Sequence, residues 1–366
     1  MKIKITREIL LPVLQAANNV VERRQALPIL SNVLIVAGND GLQVTATDME
    51  VELVSRLENP VAEAGSVALP ARKLFDICRA LPADSELTIE ANGNKAKISS
   101  GRSRFSLAAM NADEFPSIGT FETSIDLDIA TETLSDLLES TSFAMAHQDV
   151  RYYLNGLLLE MDGSRIRTVA TDGHRLALTD KPVEIQLEAP RQCIVPRKGV
   201  LEIVRLLNPA QPMAHLSVGE NHFRVSSGNQ SLTTKLVDGR FPDYERVIPR
   251  ETENRVIADR EALRAGLSRA SILSNEKFRG IRLILKKNLL TAVAHNPEQE
   301  EAEEEIEVEY SGAPVEVGFN VSYLLDVLGV MRSPTVRLDL VDAQSSCLMQ
   351  VPEDAESRYV VMPMRL

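Results

Sequence analysis

The chain has 366 residues, of which 44% are hydrophobic and 25% are charged, and its formal net charge at pH 7 is −12. This length exceeds one ordinary domain, and the supply of apolar side chains excludes a disordered chain. The acidic balance argues against a nucleic-acid partner unless the basic residues are segregated onto one surface.

The sequence indicates a reduced, cytoplasmic protein that does not enter a membrane. Residues 1–11 carry charges inside their apolar run and lack a small-residue cleavage site, unlike a signal peptide. No apolar run is long enough to span a bilayer. The three cysteines, Cys78, Cys193 and Cys347, are far apart and form no CxxC pair, which argues against disulfides and a zinc site.

Short strands predominate along the chain, and helical segments interrupt them. Apolar residues recur at helical spacing in six segments, which are residues 7–20, 71–81, 132–145, 197–207, 260–273 and 321–331. Pro12 lies inside the first segment, where it predicts a local kink. Runs of about five to eight residues with alternating polarity predict the strands.

The same motifs recur in the same order along the chain. VTATD at residues 44–48 resembles TVATD at 168–172, an offset of 124, and a weaker copy, VAHN, lies at 293–296. PARKL at residues 70–74 resembles VPRKG at 195–199, and the segment 100–116 resembles 227–242. Self-similarity that persists over separate motifs indicates three copies of one structural unit.

Turn and breaker residues near position 124 and at 250–253 predict the boundaries between the copies. The predicted domains are therefore residues 1–124, 125–253 and 254–366. Each contains two helices and several short strands, and each divides again into two similar half-units. The predicted fold class is α+β, with three repeated domains in a pseudo-symmetric arrangement.

One helix in each of the first two repeats combines an apolar stripe with a charged opposite face. The stripes are formed by Leu74, Ile77, Cys78 and Leu81, and by Val200, Ile203, Val204 and Leu207. The opposite faces carry a basic, acidic, basic series, which is Arg72, Asp76 and Arg79 in one helix and Lys198, Glu202 and Arg205 in the other. These faces are either solvated surfaces or a lining that presents cations to phosphates.

The sequence predicts no catalytic residues, no metal site and no cofactor. It lacks the motifs of zinc proteases, P-loop proteins and serine hydrolases, and its five histidines are scattered. Ser274 and Lys277 match the SxxK pattern of penicillin-type acyl hydrolases, but the SDN and KTG motifs do not follow. An SxxK-type acyl hydrolase is the alternative hypothesis to a non-catalytic protein.

Residues 298–309, EQEEAEEEIEVE, form a strongly acidic run with eight glutamates. Ile306, Val308 and Tyr310 alternate with glutamates, which predicts a strand with one wet face. Arg102 and Arg104 in the first repeat are the complementary charges. The run is either an acidic solubility face or one side of an intermolecular joint.

A joint between the third repeat of one chain and the first repeat of another would set glutamates against arginines. Ile272 and Leu273 could then pack against Phe105 and Leu107. Such a head-to-tail contact either closes into a ring or continues as a filament, and six equivalent half-units favour a ring. DNA could pass through a hole lined by the basic helices, while the acidic exterior would repel it. A filament-forming scaffold remains the alternative assembly.

Seven segments of the second and third repeats resemble the bacterial DNA polymerase III β subunits, the sliding clamps. They are MAHQDVRYYLNG (145–156), VATDGHRLA (169–177), IVPRKGV (194–200), KLVDGRFPDY (235–244), ILSNEKFRG (272–280), AHNPEQEEAEEE (294–305) and YVVMPMRL (359–366). The resemblance implies a homodimeric ring, with three DNA-clamp domains per chain, that encircles duplex DNA. It also implies a tether for the replicative polymerase without enzymatic activity of its own.

The resemblance further implies a pocket between the second and third domains. Its ligands would be short peptides of the clamp loader, the replicative and translesion polymerases and repair proteins. The residues that match the family's main pocket are Leu154, Thr171, Gly173, His174, Arg175, Leu176, Pro242, Arg246, Val247, Val360, Met362, Pro363, Met364, Arg365 and Leu366. A second subsite would use Arg151, Tyr153, Asn320, Tyr323 and Ser346. Gln344 stands where the family often has an apolar residue.

The resemblance also implies that Arg24, Tyr152 and Tyr153 contact DNA, although Tyr152 could instead be a core residue. The helices add further candidate DNA-binding residues, which are Arg72, Lys73, Arg79, Arg197, Lys198 and Arg205. The candidate residues of the dimer joint are Lys73, Arg102, Arg104, Phe105, Leu107, Ile272, Leu273, Glu298, Glu300, Glu301, Glu303 and Glu304.

Overall fold

A computed structural model of the chain describes residues 1–22, 27–185, 187, 189–249, 254–352 and 354–365. The first repeat contains helices α1 (Arg7–Val20) and α2 (Ala71–Ala80). Its strands are β1 (Lys2–Thr6), β2 (Asn32–Gly38), β3 (Gly41–Thr47), β4 (Val51–Leu57), β5 (Val61–Glu63), β6 (Gly65–Pro70), β7 (Glu86–Asn92), β8 (Lys95–Ser100) and β9 (Ser103–Ala108).

The central and third repeats follow the same order of elements, apart from the short strand β5 of the first repeat. The central repeat contains β10 (Thr123–Ala130), α3 (Thr131–Ser142), β11 (Gly156–Met161), β12 (Arg165–Thr171), β13 (Arg175–Pro182), β14 (Arg191–Pro196), α4 (Arg197–Leu206), β15 (Met213–Gly219), β16 (His222–Ser227) and β17 (Gln230–Lys235). The third contains β18 (Arg255–Asp259), α5 (Arg260–Ala270), β19 (Gly280–Lys286), β20 (Leu289–His295), β21 (Glu301–Glu307), β22 (Val315–Asn320), α6 (Val321–Val330), β23 (Thr335–Leu340), β24 (Cys347–Val351) and β25 (Asp354–Val361).

All six predicted helices are present, and their ends lie within three residues of the predicted ends. Helix α1 is continuous through Pro12. Helices α5 and α6 begin at side-chain caps, because Asp259 Oδ1 accepts from the Ala262 N–H at 2.8 Å and Asn320 Oδ1 accepts from the Ser322 N–H at 2.9 Å. Such caps satisfy backbone donors that the first helical turn leaves unpaired.

Antiparallel pairing arranges the described strands into four sheets. Two sheets have eight strands each, in the orders β10-β15-β16-β17-β4-β3-β2-β6 and β14-β11-β12-β13-β25-β24-β23-β18. A five-stranded sheet has the order β5-β1-β7-β8-β9, and a four-stranded sheet has the order β21-β20-β19-β22.

Each eight-stranded sheet joins strands from two consecutive repeats. In one, β17 of the central repeat pairs with β4 of the first. In the other, β13 of the central repeat pairs with β25 of the third. The five-stranded sheet contains only strands of the first repeat, and the four-stranded sheet contains only strands of the third. These two sheets end at β9 and β21. Within their repeats, β9 and β21 are the counterparts of the strands that join the longer sheets.

The compact units of the chain do not follow the three repeats. One unit comprises Met1–Leu134 with Lys198–Leu236, and the other comprises Ser135–Arg197 with Val237–Leu366. Because sheet pairing crosses the repeat boundaries, the central repeat contributes strands to both units. Aliphatic residues such as Leu10, Leu74, Leu283 and Leu338 fill the cores, as the scarcity of aromatic residues predicts.

The charged helix faces differ from the prediction at one position. Glu202 of α4 was expected on the solvated face, but it is only 7% exposed. It accepts a hydrogen bond from Arg205, and burial raises its pKa. The expectation was wrong because helical spacing records only which residues share a face, whereas packing against other elements determines how much of that face is covered. The predicted wet and dry faces of the acidic strand are confirmed, since Ile306 and Val308 are buried between exposed glutamates.

Candidate functional site

Thr171 and Asp172 build the turn between β12 and β13. The Oδ1 atom of Asp172 accepts hydrogen bonds from the backbone N–H groups of His174 and Arg175 at 2.9 and 3.0 Å. The Thr171 hydroxyl donates to the Arg175 carbonyl at 2.6 Å and accepts from the Gly173 N–H at 3.1 Å. Gly173 has a φ of +89°, a conformation that glycine adopts without steric cost.

The equivalent turn of the first repeat has the same construction. The Thr47 hydroxyl donates to the Val51 carbonyl at 2.8 Å, and Asp48 Oδ1 accepts from the N–H groups of Glu50 and Val51 at 2.9 and 2.7 Å. Met49 has a φ of +78°. The threonine and aspartate are therefore a repeated scaffold, and the residues that follow them are what distinguishes the central repeat.

Arg175 connects the turn to two other elements. Its Nε donates to Asp172 Oδ2 at 3.1 Å, and its Nη2 donates to the Phe143 carbonyl at 2.8 Å. Nη1 forms an ion pair with Asp326 on α6. The guanidinium lies 4.6 Å from the Tyr323 ring centroid and 5.3 Å from that of Phe143. Arg175 thus holds α6 and the segment after α3 against the turn.

The C-terminal segment runs beside the same turn. The Met362 N–H donates to the His174 carbonyl at 2.9 Å, and the Met364 N–H donates to the Gly318 carbonyl at 2.9 Å. The imidazole of His174 stacks on Tyr323, with ring centroids 6.4 Å apart. Burial raises the pKa of Tyr323. Backbone bonds therefore fix Met362 next to the turn and Met364 next to β22, and both side chains are partly buried.

Arg151 packs against the other side of the turn. Its Nε and Nη2 donate to the two carboxylate oxygens of Asp149 at 3.0 and 2.8 Å, and Nη2 also donates to the Asp172 carbonyl at 3.3 Å. The hydrogen bond from Arg151 lowers the pKa of Asp149 to about 2. A Cβ atom at Gly173 would lie 3.1 Å from this guanidinium, so a side chain there would displace Arg151.

An apolar floor lies behind these polar groups. Leu176 and Val360 are paired across β13 and β25, and both belong to one buried cluster with Leu154. The remaining members of this cluster are Ala146, Leu158, Val169, Leu178, Ile194, Phe241, Tyr244 and Leu348. The structure thus brings together three of the predicted apolar pocket residues.

A cleft of about 760 Å³ opens between the segment 245–249 and the loop that follows β23. Four of the predicted pocket residues line it, namely Arg246, Val247, Ser346 and Met362. Arg246 is held by Asp243 at 2.6 Å but stays exposed. The cleft therefore combines apolar walls with an accessible guanidinium, which suits an extended peptide with both apolar and polar side chains.

The sequence did not predict the other five lining residues, which are Glu245, Ile248, Pro249, Val341 and Ser345. Val341 follows β23, and only the order of strands in the sheet places it opposite the segment 245–249. Phe241 and Tyr244 of the floor were also missed. The motif KLVDGRFPDY contained a signal for them, because two aromatic residues in a chain with 4% aromatics stand beside Pro242.

The other predicted pocket residues have varied environments. Pro242 and Arg365 are exposed, and Pro363 is partly buried. Tyr153 packs against the apolar floor, and Asn320 caps α6. Gln344 is exposed in the loop after β23. Leu366 lies outside the described residues.

The candidate DNA-binding residues of α2 are exposed. Arg72 and Arg79 both contact Asp76, at 3.3 and 3.1 Å, yet each side chain remains more than half exposed. Lys73 is exposed beside them. Tyr152 is 58% exposed and is therefore not a core residue. Arg24 lies outside the described residues.

Two corresponding residues of α4, Arg197 and Lys198, are more enclosed, whereas the side chain of Arg205 is 57% exposed. Lys198 Nζ contacts Asp48, the Glu22 carboxylate at 3.0 Å and the Val20 carbonyl at 3.0 Å. Burial opposes the charge of Lys198, but these acids outweigh it and raise its pKa. Arg197 is half-buried and donates to the Met145 carbonyl at 3.0 Å. Burial lowers its pKa, and the charge of Arg175 lowers it further.

Lys73 lies on α2, and the other candidate joint residues lie on and near β9 and β21. Arg102 and Arg104 are exposed, Phe105 is partly buried, and Leu107 is 9% exposed. Ile272 is 75% exposed and Leu273 is partly buried. Exposed glutamates occur at positions 298, 300, 301 and 303. Glu304 is held by Arg269 through two bonds of 2.8 and 2.7 Å.

Ser274 has the environment of a structural residue. Its side chain is 4% exposed, and its hydroxyl donates to the Ser271 carbonyl at 2.7 Å. The Lys277 ammonium lies over the Phe278 ring, 5.2 Å from its centroid. Within the described ranges, no group of His, Cys, Asp and Glu side chains could hold a metal ion. No helix in the part of the chain that the structure describes is long and apolar enough to cross a membrane.

Comparison with known proteins assigns the family. The sequence models of the N-terminal, central and C-terminal domains of the DNA polymerase III β subunit match residues 1–119, 128–243 and 245–365. The chain belongs to the DNA polymerase III β subunit family. The β subunits are sliding clamps, non-catalytic processivity factors, so the acyl hydrolase alternative is excluded.

Individual β subunits match over their whole length. The chain is 53% identical to the beta sliding clamp of Pseudomonas putida over 368 residues, and 46% identical to that of Escherichia coli over 368 residues, with both chains of each pair fully covered. A crystal structure of the Pseudomonas aeruginosa sliding clamp bound to griselimycin has a TM-score of 0.95 and 51% identity, again with full coverage of both chains. The predicted fold class of three repeated clamp domains is therefore confirmed.

Proposed function

We propose that two copies of this chain join head to tail into a ring that encircles duplex DNA and tethers polymerases and other replication and repair proteins. The order of strands in the sheets supports this proposal. Each eight-stranded sheet joins two consecutive repeats, whereas the shorter sheets end at β9 and β21, where an equivalent joint is missing. Pairing β9 of one chain with β21 of another would complete two further sheets of the same kind.

The internal joints define the register of the proposed one. Ala46, Ala170 and Ala294 occupy equivalent positions and face Leu53, Ala177 and Ala302 on the next strand. Leu53 and Ala177 in turn pair with Leu232 and Tyr359 across the internal joints.

The opposite side of the joint gives the matching residue. Leu232 and Tyr359 lie beside Val225 and Met349, as Phe105 lies beside Ile98. Phe105 is thus equivalent to Leu232 and Tyr359. Antiparallel pairing then sets Phe105 opposite Ala302, Arg104 opposite Glu303, and Ser106 opposite Glu301 of the second copy.

The burial pattern supports this register. Phe105 and Ala302 are both partly buried, whereas Arg104, Ser106, Glu301 and Glu303 are exposed. Residues that face each other across antiparallel strands lie on the same side of the sheet, so the two patterns coincide. Ile272, 75% exposed near this edge, would supply apolar surface that the joint removes from water.

Duplex DNA would contact the exposed cations and Tyr152 inside the ring. The side chains of Arg72, Lys73 and Arg79 are accessible to phosphates, and such contacts are independent of base sequence and weaken with salt. Lys198 is only 25% exposed and is engaged by Asp48 and Glu22, so we assign it a smaller contribution than Arg205, whose side chain is 57% exposed. Arg24, Tyr153 and Arg197 complete the proposed set.

The cleft and the turn at Asp172 would hold the partner peptides. Apolar peptide side chains would rest on Val247, in front of the buried Leu176 and Val360, and the methionines at 362 and 364 would adapt to different sequences. His174, Arg175 and Arg246 would provide polar contacts at the rim. The proposed partners are the clamp loader, replicative and translesion polymerases and repair proteins, in the cytoplasm. We place the domain boundaries at residues 1–124, 125–253 and 254–366.

Retention on closed DNA tests the ring. The purified protein, loaded on a nicked circular plasmid by a bacterial clamp loader, should stay bound through gel filtration in high salt. Cutting the circle once should release it, because a topological link survives salt whereas ionic contacts do not. Equal loss from circular and linear DNA would contradict the ring.

Truncation tests the pocket. A chain that ends after Tyr359 lacks Val360 and the segment with both methionines, and it should lose binding to a short Gln- and Leu-containing clamp-binding peptide. Sedimentation should still give the mass of two chains, since β9 and β21 are untouched. Unchanged peptide affinity would contradict the pocket assignment.

A further inference from the structure

A buried polar cluster lies beneath one wall of the cleft. The guanidinium of Arg167 donates to both carboxylate oxygens of Asp180, at 2.6 and 3.0 Å, and its side chain is 8% exposed. Its Nη1 also donates to the Tyr244 hydroxyl at 2.9 Å. The Tyr244 hydroxyl in turn donates to Glu160 Oε2 at 2.5 Å. The tyrosine oxygen is thus both an acceptor and a donor between a buried guanidinium and a partly buried carboxylate.

Tyr244 is the first residue of the 3₁₀ helix Tyr244–Val247. The other three residues of this helix, Glu245, Arg246 and Val247, line the cleft. The Tyr244 ring belongs to the apolar floor and lies edge-on to Phe241, with centroids 6.5 Å apart. Tyr244 therefore attaches the helix to the sheet, because its ring packs in the core and its hydroxyl joins the polar cluster.

The other polar side chains of this helix make weaker attachments. Arg246 bonds to Asp243 just before the helix, and both side chains are more than half exposed. Glu245 reaches Arg167 at 3.4 Å, but its side chain is 71% exposed. Exposed ion pairs of this kind constrain a segment little, whereas a buried hydrogen-bonded network constrains it strongly.

We propose that Tyr244 is a positioning residue for partner peptides. Held between Arg167 and Glu160, it fixes the distance of Val247 and Arg246 from the floor without touching the peptide itself. This inference rests on the proposed peptide-binding function of the cleft. It assigns a role in recognition to a tyrosine and two charged residues that lie behind the pocket surface.

Replacement of the hydroxyl tests the role of Tyr244. Tyr244→Phe keeps the ring in the core but breaks both hydrogen bonds, and we expect affinity for a clamp-binding peptide to fall by about tenfold. Tyr310→Phe is the matched control, because it also removes the hydroxyl of a buried tyrosine. That hydroxyl donates to the Ala313 carbonyl at 2.5 Å and lies 3.5 Å from Asn254 Oδ1, and none of these residues lines the cleft. Its peptide affinity should match that of the parent chain.

A second pair of variants separates positioning from general stability. Glu160→Gln retains an oxygen that accepts from Tyr244, so it should bind peptide almost as the parent does. Glu160→Ala removes the acceptor and should weaken binding like Tyr244→Phe. Isothermal titration with one peptide gives the affinity of each full-length variant, and its melting temperature gives the stability.

The outcomes are distinct for the two levels of the proposal. Parent-like binding by both Tyr244→Phe and Glu160→Ala would overturn the positioning role, as would an equal loss in Tyr310→Phe. Val247→Asp serves as the test of the cleft itself, since it places a charge on an apolar wall. If Val247→Asp also bound peptide normally, the proposed function of the cleft would be wrong.

Discussion

Reversal of one charge at the proposed joint gives the sharpest test of the assembly. The register derived from the internal joints sets Arg104 of one chain opposite Glu303 of the other, and both residues are exposed in the single chain. Arg104→Glu would set two glutamates opposite each other, and Glu303→Arg would set two arginines opposite each other. The doubly substituted chain restores opposite charges in the reverse order.

The register and the symmetry set the magnitude. A cross-strand pair of opposite charges contributes roughly 0.2–1 kcal/mol, and like charges destabilise by a similar amount, so one reversal costs about 0.4–2 kcal/mol at a joint. A head-to-tail dimer has two identical joints, so the cost is about 0.8–4 kcal/mol for the ring. The dimer dissociation constant should then rise by roughly fourfold to a thousandfold.

Sedimentation over a dilution series measures this dissociation constant. Each single variant should dissociate at higher concentration than the parent chain, and the double variant should recover most of the loss. The differences should shrink at high salt, because screening weakens interactions between charges. Glu309→Arg is a control of equal charge change, at an exposed residue of the acidic run beyond β21. A double variant no tighter than the worse single variant would refute the register.

Three further predictions concern the single chain. Lys198→Met leaves the Asp48 carboxylate, which is 4% exposed, without its ammonium partner. The free energy of unfolding, measured in urea, should fall by about 3 kcal/mol. The control Arg72→Met, at an exposed residue, should lower it by less than about 0.5 kcal/mol. Asp149, whose pKa is lowered to about 2 by Arg151, contributes stability that is complete above its unfolded pKa of about 3.9 and is lost as the pH falls through 2. The urea midpoint should therefore fall less steeply between pH 4 and 2 in Asp149→Asn than in the parent, and equal slopes would contradict the assignment. The thiols of Cys78, Cys193 and Cys347 are buried, and burial raises all three pKa values. A thiol reagent should therefore label them only after unfolding. Rapid labelling of the native protein would show that the cores open.

Local sequence pattern predicted the elements well. Helices α2 and α4 follow from apolar residues spaced one helical turn apart, and their ends differ little from the prediction. The Thr-Asp turn also follows from sequence, because both residues bond to the backbone within four positions and need no distant partner. The scaffold of the candidate site was therefore visible as a repeat, and its specific residues were visible as departures from that repeat.

The pocket was only partly predictable. The resemblance to known clamps gave Val247, Val360 and Met362, but not Val341 or Tyr244. These two residues matter because of their neighbours, which lie far away in sequence, and no periodicity records such pairings. The same limit explains Glu202, which shares a charged face with Lys198 in sequence but is buried in the folded chain.

The sequence by itself determined the three repeats, the six helices, the repeated turn and the acidic strand, since each depends on interactions within a few residues of the chain. Only the tertiary structure decided that strands of consecutive repeats share one sheet. Hydrogen bonding between strands is non-local, so the chain can place β17 beside β4 and β13 beside β25 without any marker at those positions. That pairing leaves β9 and β21 at sheet edges, and it is the physical reason to expect a second copy of the chain there.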